Sequence, residues 1–190
     1  MNNNLARQGE YRSELIKGKI IMMSPSPITN HNRISRNITR IFDNYLDGKS
    51  CEVFADGLDV YLTAQDRFEP DCMVVCDPNK IKYNGVHGAP DLIVEVLSPS
   101  TAKNDKGHKK NVYEQCGVRE YWLVDPVNKS VEQYILQNNK FELHEIYFIY
   151  PDFMLEDMSE EERAAIITEF KCSLYDDLII KLEDIFKRVV

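Results

Sequence analysis

The chain has 190 residues, of which 43% are hydrophobic and 28% are charged, and its net charge is −8 at pH 7. This length suits one domain with a substantial buried core, and the ordinary composition excludes a globally disordered chain. The acidic balance argues against a broad electrostatic grip on nucleic acid, which requires clustered Lys and Arg, although segment 101–119 is locally basic.

The apolar runs and the cysteines favour a cytoplasmic protein without membrane partners. The runs are far shorter than the about 20 residues of a membrane-spanning helix, and the N-terminal segment lacks the apolar centre of a signal peptide. Five cysteines without a CxxC pair argue against a complete disulfide framework. We interpret Cys72 and Cys76, which flank an apolar stretch, as small core residues. The four histidines do not cluster near these thiols, which argues against a zinc site.

The first elements are a hairpin and a long helix. Two apolar segments joined at Lys17 and Gly18 predict a short hairpin over 14–25. Over 29–46 the apolar side chains recur at intervals of three and four residues, which predicts an amphipathic helix that Gly48 helps to end.

Strands follow this helix. Short apolar segments predict two strands, 51–55 and 58–62, linked by Asp56-Gly57. Two further segments, 69–78 and 89–99, have compact apolar centres bounded by prolines. A continuous run of Val and Ile, as in the second of these, is typical of a strand that is buried on both faces of a sheet.

The next segments predict a strand–helix–strand unit across 90–125. Segment 101–118 has helical character with Gly117 as its stop, although Gly107 weakens the first turn. Segment 119–126 is predicted to be the following strand. A mixed α/β layer structure follows from this order of elements.

The last part of the chain begins with a predicted hairpin, 130–136 and 140–148, around Asn138-Asn139. Segment 159–170 is predicted to be helical, because Ser159 and Glu162 have the spacing of a capping box. For segment 177–186 the pattern leaves strand and helix equally open.

Glu95 is the most informative residue, because it lies in an apolar run that is predicted to be a buried strand. Burial of an ionised carboxylate without a partner costs several kcal/mol or more, so Glu95 requires an ion pair, a metal ion or a place at the edge of the sheet. A structural ion pair with a Lys or Arg of a covering helix is as compatible with the sequence as a metal site.

Two Pro-Asp pairs offer a second carboxylate, Asp71 or Asp91. Asp91 and Glu95 lie four residues apart on one strand, about 13 Å at roughly 3.3 Å per residue, which is too far for one Mg²⁺. Asp71 belongs to a different strand, and adjacent strands lie only about 4.8 Å apart. Asp71 is therefore the better partner for Glu95, although turn chemistry after proline also explains both aspartates.

Lys109 is the candidate cationic side chain. Phosphodiester hydrolysis uses a metal ion to activate water and a lysine to orient that water or stabilise the transition state. Asp105, Lys109 and Tyr113 recur at four-residue intervals, which places them on one helix face that is able to turn towards the carboxylates. A solvated basic helix face is the alternative for any lysine of this segment.

These segments resemble a bacterial family. APDLIVEVLSPST, then Asp105-x-x-x-Lys109-x-x-x-Tyr113, then GVREYWLVDP are similar to a large family classed as putative restriction endonucleases, grouped with the PD-(D/E)XK nucleases. The resemblance extends upstream through ELIKGKIIMMSPSP, the His31-bearing helix and the EPD strand, and covers most of the chain up to about residue 150. Residues 151–170 fit the pattern poorly and are expected to be an insertion within a single domain, 1–190.

The resemblance implies a restriction-endonuclease-like fold: a central mixed β-sheet flanked by helices, with an N-terminal hairpin and additional antiparallel strands. It implies that Asp71 and Glu95 are the metal carboxylates, with the Val96 carbonyl as a further ligand. The usual E-x-K lysine is replaced by Leu97, and Lys109 on the next helix takes its part. Glu14 matches an acidic position that completes the site. Supporting roles are implied for three residues: His31, Asp105 and Tyr113.

Two functions are compatible with these observations. The leading hypothesis is a Mg²⁺- or Mn²⁺-dependent endonuclease that hydrolyses phosphodiester bonds in DNA. A homodimer is expected with it, because many such nucleases need two active sites to cut both strands. The alternative is a catalytically inactive or partner-dependent module that keeps the fold and binds nucleic acid or protein, as the acidic balance and the missing strand lysine suggest.

Overall fold

The computed structural model describes residues 12–23, 28–55 and 57–190. Its strands are β1 (Ser13–Ile16), β2 (Lys19–Met22), β3 (Glu52–Ala55), β4 (Val60–Tyr61), β5 (Arg67–Phe68), β6 (Cys72–Val75), β7 (Ile81–Lys82), β8 (Gly85–His87), β9 (Leu92–Val96), β10 (Glu120–Asp125), β11 (Ser130–Gln137), β12 (Lys140–Phe148), β13 (Glu169–Lys171) and β14 (Ile179–Lys181). Its helices are α1 (Thr29–Leu46), α2 (Ala102–Asn104), α3 (Lys110–Cys116), α4 (Asp152–Glu156), α5 (Glu160–Ala164) and α6 (Leu182–Ile185). A 3-10 turn covers Pro78–Lys80, and a π-helical turn, Asp105–Lys109, joins α2 to α3.

The central sheet is mixed, as predicted. Its strand order is β12-β11-β10-β9-β6-β3, in which β9 and β10 are parallel and the other neighbours are antiparallel. The α2–α3 segment, with its π-helical turn, makes the crossover between the two parallel strands. The predicted strand–helix–strand unit is therefore confirmed.

A second sheet has the order β2-β1-β5-β4-β8-β7. The predicted N-terminal hairpin is confirmed as β1 and β2, and its turn residues Lys17 and Gly18 both have positive φ, which suits a tight two-residue connection. The two strands predicted after α1 are present, but β3 joins the central sheet and β4 joins the second sheet. Asp56 and positions 24–25, which these predictions also included, lie outside the described residues.

Two apolar cores lie on the opposite faces of the central sheet. The first core contains side chains of α1 and of the C-terminal elements, packed on alternate residues of β9 that include Leu92 and Val94. The second core packs β4, β5 and β8 of the second sheet, together with α3, on the other alternate residues, which include Ile93 and Leu97. Because strand side chains alternate between faces, Glu95 points into the second core region.

The C-terminal segment corrects one helix prediction. The capping box of Ser159 and Glu162 is present, but α5 ends at Ala164. The end of the segment predicted as helix, 159–170, instead enters β13, which pairs with β14. The undecided segment 177–186 contains both kinds of structure, a strand followed by the short helix α6. No helix of the described ranges is long and apolar enough to cross a membrane.

The interpretation of Cys76 as a core residue was wrong. Cys72 is fully buried, as predicted, but Cys76 is only half-buried and forms a disulfide with Cys51. The pairing follows from the sheet register, because β3 and β6 are antiparallel with Glu52 opposite Val75, and the next pair outward is Cys51 and Cys76. Cys116 is free and half-buried, and Cys172 is free and buried.

Candidate active site

Asp71 and Glu95 come from neighbouring antiparallel strands. The register of β6 and β9 pairs Cys72 with Val94 and Met73 with Ile93, so one step further along places Asp71 opposite Glu95. Their side chains are on the same face as Met73 and Ile93, which belong to the second core. Both carboxylates are buried, and Glu95 is 3% exposed.

Asp71 is held by β9 and by α1. Its Oδ2 accepts a hydrogen bond of 2.7 Å from the Val96 backbone N–H and lies 3.2 Å from His31 Nε2. Ser35, one turn further along α1, donates its hydroxyl to the Asp71 backbone carbonyl at 2.9 Å. The structure therefore brings His31 and the Val96 backbone to this aspartate, while the role of the Val96 carbonyl as a ligand stays a prediction.

Lys109 lies among three carboxylates. Its Nζ is 2.8 Å from Glu14 Oε1, 3.2 Å from Glu95 Oε1 and 3.4 Å from Asp105 Oδ1, and its side chain is 4% exposed. Glu14 reaches the site from β1, and its Oε1 also accepts the Glu69 backbone N–H at 3.1 Å. The second sheet, the central sheet and the α2–α3 segment thus each supply a charged group to one buried cluster.

The π-helical turn sets the orientation of the helical residues. A π-helical turn adds a residue to the helix repeat and is frequently found at functional sites. Asp105, Lys109 and Tyr113, predicted to share one face, are all buried here. Tyr113 donates its hydroxyl to Glu95 Oε1 at 2.7 Å, and Tyr121 donates its hydroxyl to the Asp105 carbonyl at 3.0 Å.

The electrostatics of the cluster are dominated by burial and by surplus negative charge. Burial raises the pKa of Glu95 well above its ordinary range; the Lys109 charge opposes this rise, and the other carboxylates reinforce it. Burial likewise raises the pKa of Asp105. Burial works to lower the pKa of Lys109, but the surrounding carboxylates outweigh it and the pKa is raised. The cluster contains four carboxylates (Glu14, Asp71, Glu95 and Asp105) and one ammonium, so an added cation would be favourable.

The donor set fits a magnesium or manganese ion held by two carboxylates. Within the described ranges, no group of three or more His, Cys, Asp or Glu side chains is arranged to hold a metal ion. Mg²⁺, however, is usually bound by one or two carboxylates, with water and substrate phosphate completing its shell. Among the described residues, the contacts to these carboxylates fall on one oxygen each, Oδ2 of Asp71 and Oε1 of Glu95.

Asp91 lies outside this cluster. Its Oδ2 accepts the Cys76 backbone N–H at 2.8 Å, and its Oδ1 lies 3.6 Å from the Arg119 guanidinium. The aspartate therefore fixes the ends of two strands. The sequence reasoning missed a different pair beside the site, His108 and Asp66, whose side chains meet at 2.7 Å. His108 adjoins Lys109 in the chain, but nothing in the spacing indicates a partner 42 residues away.

The chain is similar to two curated proteins of Synechocystis sp. The uncharacterized protein slr1290 is 34% identical over 130 residues, 67% of each chain. The uncharacterized protein sll1609 is 32% identical over 131 residues, 67% of this chain and 73% of the relative.

A solved structure shares the fold. The crystal structure described as a putative nuclease belonging to DUF820 from Anabaena variabilis matches with a TM-score of 0.70 and 22% identity, over 96% of this chain and 93% of that chain. The predicted restriction-endonuclease-like fold is confirmed. The family model described as "Uma2: Putative restriction endonuclease" matches residues 3–165. This match supports the assignment of the chain to the nucleases. The chain therefore belongs to the Uma2 family of putative restriction endonucleases.

Proposed function

We propose that this chain is a Mg²⁺- or Mn²⁺-dependent endonuclease that hydrolyses phosphodiester bonds in DNA. The observation that carries the proposal is the meeting of Asp71 and Glu95, from adjacent strands, in a buried cluster that Lys109 enters from the following helical segment. The surplus of carboxylates over ammonium groups in this cluster supports the binding of a divalent cation.

Each residue of the cluster has a distinct part in the proposal. Asp71 and Glu95 would hold the metal ion, with the Val96 carbonyl as a further ligand. Once bound, the ion would lower the pKa of an attacking water and neutralise charge on the phosphate. Lys109 orients that water and stabilises the developing negative charge.

The remaining residues hold these groups in place. Glu14 contacts the ammonium of Lys109, and Asp105 contacts it one helical turn away. Tyr113 fixes Oε1 of Glu95, and His31 fixes Oδ2 of Asp71. Supporting groups of this kind limit the rotamers of the residues that act on the substrate, which is what catalytic geometry requires.

Cleavage assays test the proposal. Plasmid and single-stranded DNA are incubated with Mg²⁺ or Mn²⁺ and with wild type, Glu95→Gln or Lys109→Met. Both variants keep the approximate volume of the side chain and remove its charge. We expect each to reduce the cleavage rate by on the order of 10²–10³, the effect of removing one group that stabilises a transition state.

The matched control is Lys106→Met, which removes an ammonium from the same π-helical turn. The Lys106 side chain is 49% exposed and pairs with Glu132 at 2.6 Å, away from the carboxylate cluster. Its cleavage rate should stay close to that of wild type. Wild-type rates in both Glu95→Gln and Lys109→Met would refute the proposal.

A second function is favoured by the ion pairs themselves. Lys109 already contacts three carboxylates, as in a structural ion network, and Leu97 occupies the position of the usual strand lysine. A module that binds nucleic acid or protein without catalysis would retain this network. Calorimetry distinguishes the two functions, because only the nuclease predicts Mn²⁺ binding that is lost in Asp71→Asn.

We also propose that the nuclease acts as a homodimer, since two active sites are needed to cut both strands of a duplex in one encounter. Light scattering coupled to size-exclusion chromatography measures the mass in solution. A mass of twice 22.1 kDa supports the dimer, and a mass of 22.1 kDa at all concentrations contradicts it.

A further inference from the structure

Asp66 connects three separate segments beside the carboxylate cluster. Its Oδ1 accepts hydrogen bonds from His108 Nε2 at 2.7 Å and from the Lys17 backbone N–H at 3.1 Å. Its Oδ2 accepts the Thr63 hydroxyl at 2.9 Å. Lys17 lies in the turn between β1 and β2, Thr63 lies in the turn between β4 and β5, and His108 lies in the π-helical turn.

These segments carry Glu14 and Lys109, two of the site residues that lie outside the central sheet. Glu14 lies on β1, three positions before Lys17, and Lys109 directly follows His108. Asp71 and Glu95 are positioned by the pairing of β6 with β9. The placement of Glu14 and Lys109 instead depends on how the second sheet and the α2–α3 segment meet, and Asp66 contacts both.

The environment of Asp66 favours a fixed, charged carboxylate. Its side chain is 10% exposed, and that of His108 is 21% exposed. Burial works to raise the pKa of Asp66, but the hydrogen bonds from His108, the Lys17 backbone and Thr63 outweigh it and the pKa is lowered. A carboxylate that accepts hydrogen bonds from several donors and has little exposure to solvent is held in one orientation.

Aromatic packing supports the same arrangement. The Phe68 ring on β5 packs edge-on against the rings of His108 and Tyr113. The ring centroids are 6.2 Å and 5.5 Å apart, respectively. Tyr113 is the residue that donates to Glu95. The Lys109 ammonium lies 5.7 Å from the centroid of the same Phe68 ring. His108 is therefore packed as well as hydrogen-bonded on the side of the helix next to the site.

We propose that Asp66 and His108 are positioning residues that hold the π-helical turn so that the Lys109 ammonium stays between Glu14 and Glu95. The catalytic consequence rests on the proposed nuclease function. The structural consequence, protection of the Lys109 amine from solvent, does not depend on activity.

The test measures acetylation of individual lysines by mass spectrometry, in the absence of DNA and metal. Lys109 is buried in wild type, and Lys103, on α2, is an exposed internal reference. The disrupting variants are His108→Leu and Asp66→Asn. The rescue variant is His108→Gln, because the glutamine amide nitrogen reaches nearly the position of Nε2 and is also a donor.

The matched control is Glu132→Gln, which breaks a different ion pair of the π-helical turn, the contact with Lys106 on its exposed side. Lys80, whose ammonium donates to the Ala89 carbonyl at 2.8 Å, reports on general loosening of the second sheet. All labelling is carried out well below the melting temperature of each variant.

We expect Lys109 to be acetylated about tenfold faster or more in both disrupting variants, since a hydrogen bond to a charged group is lost. In the rescue and control variants, Lys109 should be acetylated at the wild-type rate. In cleavage assays the same two disrupting variants should lose kcat with little change in KM, and His108→Gln should recover kcat.

Three results would overturn the inference: wild-type protection of Lys109 in the folded disrupting variants, equal acceleration at Lys80, or no rescue by His108→Gln. Faster labelling of Lys109 without DNA cleavage by any protein, wild type included, would support the positioning role and refute the nuclease. Cleavage by wild type with unchanged labelling of Lys109 in the disrupting variants would support the nuclease and refute the positioning role.

Discussion

Glu120 shows how this protein holds a buried charge that does not belong to the active site. It is fully buried on the face of the central sheet that carries Trp122. Its Oε1 accepts from Trp122 Nε1 and Gln133 Nε2, both at 2.6 Å, and its Oε2 accepts from the Ser173 backbone N–H and hydroxyl. With the Cys172 thiol, which donates to Oε2 at 3.5 Å, five donors satisfy this carboxylate, whereas the contacts of Glu95 come from Lys109 and Tyr113 on one oxygen.

We predict that Glu120→Ala lowers the free energy of unfolding by about 3 kcal/mol or more, because several buried donors lose their acceptor. Urea unfolding measures the change. The control is Glu142→Ala on β12, which removes an exposed carboxylate and should alter stability by less than about 0.5 kcal/mol. Equal effects of the two substitutions would contradict the structural role of Glu120.

The ionisation of Asp66 predicts how the stability of the fold depends on pH. Its folded-state pKa is below the ordinary value of 3.8, so folding stabilises the ionised form. This contribution is present above pH 3.8 and is lost as the pH falls through the lowered pKa. The stability difference between wild type and Asp66→Asn should therefore be larger at neutral pH than below pH 3.8. Urea unfolding at both pH values measures it, and a constant difference would contradict this origin.

At the scale of elements, the glycines of the site region differ in what they permit. A Cβ at Gly107, in the π-helical turn, meets no atom within 4 Å, whereas a Cβ at Gly85, with φ of +138°, would lie 2.4 Å from the Asp59 carbonyl oxygen. We predict that Gly107→Ala stabilises the fold by about 0.5–1 kcal/mol, because alanine loses less backbone entropy in a helix. Gly85→Ala should destabilise it. Melting temperatures that fall for both variants would contradict this account of the turn.

The elements with strong local patterns could be predicted from the sequence. The three- and four-residue spacing gives α1 its full length, and Asn138 and Asn139, both with positive φ, form the predicted turn of the β11–β12 hairpin. The helix prediction over 159–170 ran too far because pairing with β14, not local propensity, decides the structure of β13. Cys51 and Cys76 were missed as a pair because their meeting depends on sheet register.

The carboxylate cluster was predictable only where local sequence patterns indicate it. Glu95 is conspicuous as a charge in an apolar strand, and strand spacing favours Asp71 over Asp91 as its neighbour. Glu14 was indicated only by the family resemblance, since its contact with Lys109 spans 95 positions and joins the second sheet to the π-helical turn. The contact of Asp66 with His108 depends likewise on the packing of the second sheet against the α2–α3 segment, which no local pattern encodes.

At the scale of the whole molecule, the C-terminal elements are part of the main core although the family match ends at residue 165. Asn37 of α1 donates to the backbone carbonyls of Ile185 and Lys187. The first core includes buried side chains from this region: Phe170, Cys172, Leu178, Ile180, Leu182, Ile185, Phe186 and Val189. Whether 151–170 is an insertion stays a prediction.

We predict that a chain ending at residue 168 does not fold. Each large apolar side chain contributes about 1.5–3 kcal/mol on burial, so the loss of this set is comparable in size with the about 5–15 kcal/mol that stabilises a whole domain. Circular dichroism and thermal melting of the truncated chain measure this. A cooperative transition near the melting temperature of the full chain would show that the C-terminal elements are dispensable.

Diffraction from crystals soaked in Mn²⁺, recorded at the manganese absorption edge, tests the central claim most directly. We predict an anomalous peak for a manganese ion that is bonded to carboxylate oxygens of both Asp71 and Glu95. This peak should be absent from crystals of Asp71→Asn. A fully soaked crystal with no peak between these side chains, or with manganese bound only elsewhere, would contradict the proposed metal-dependent nuclease.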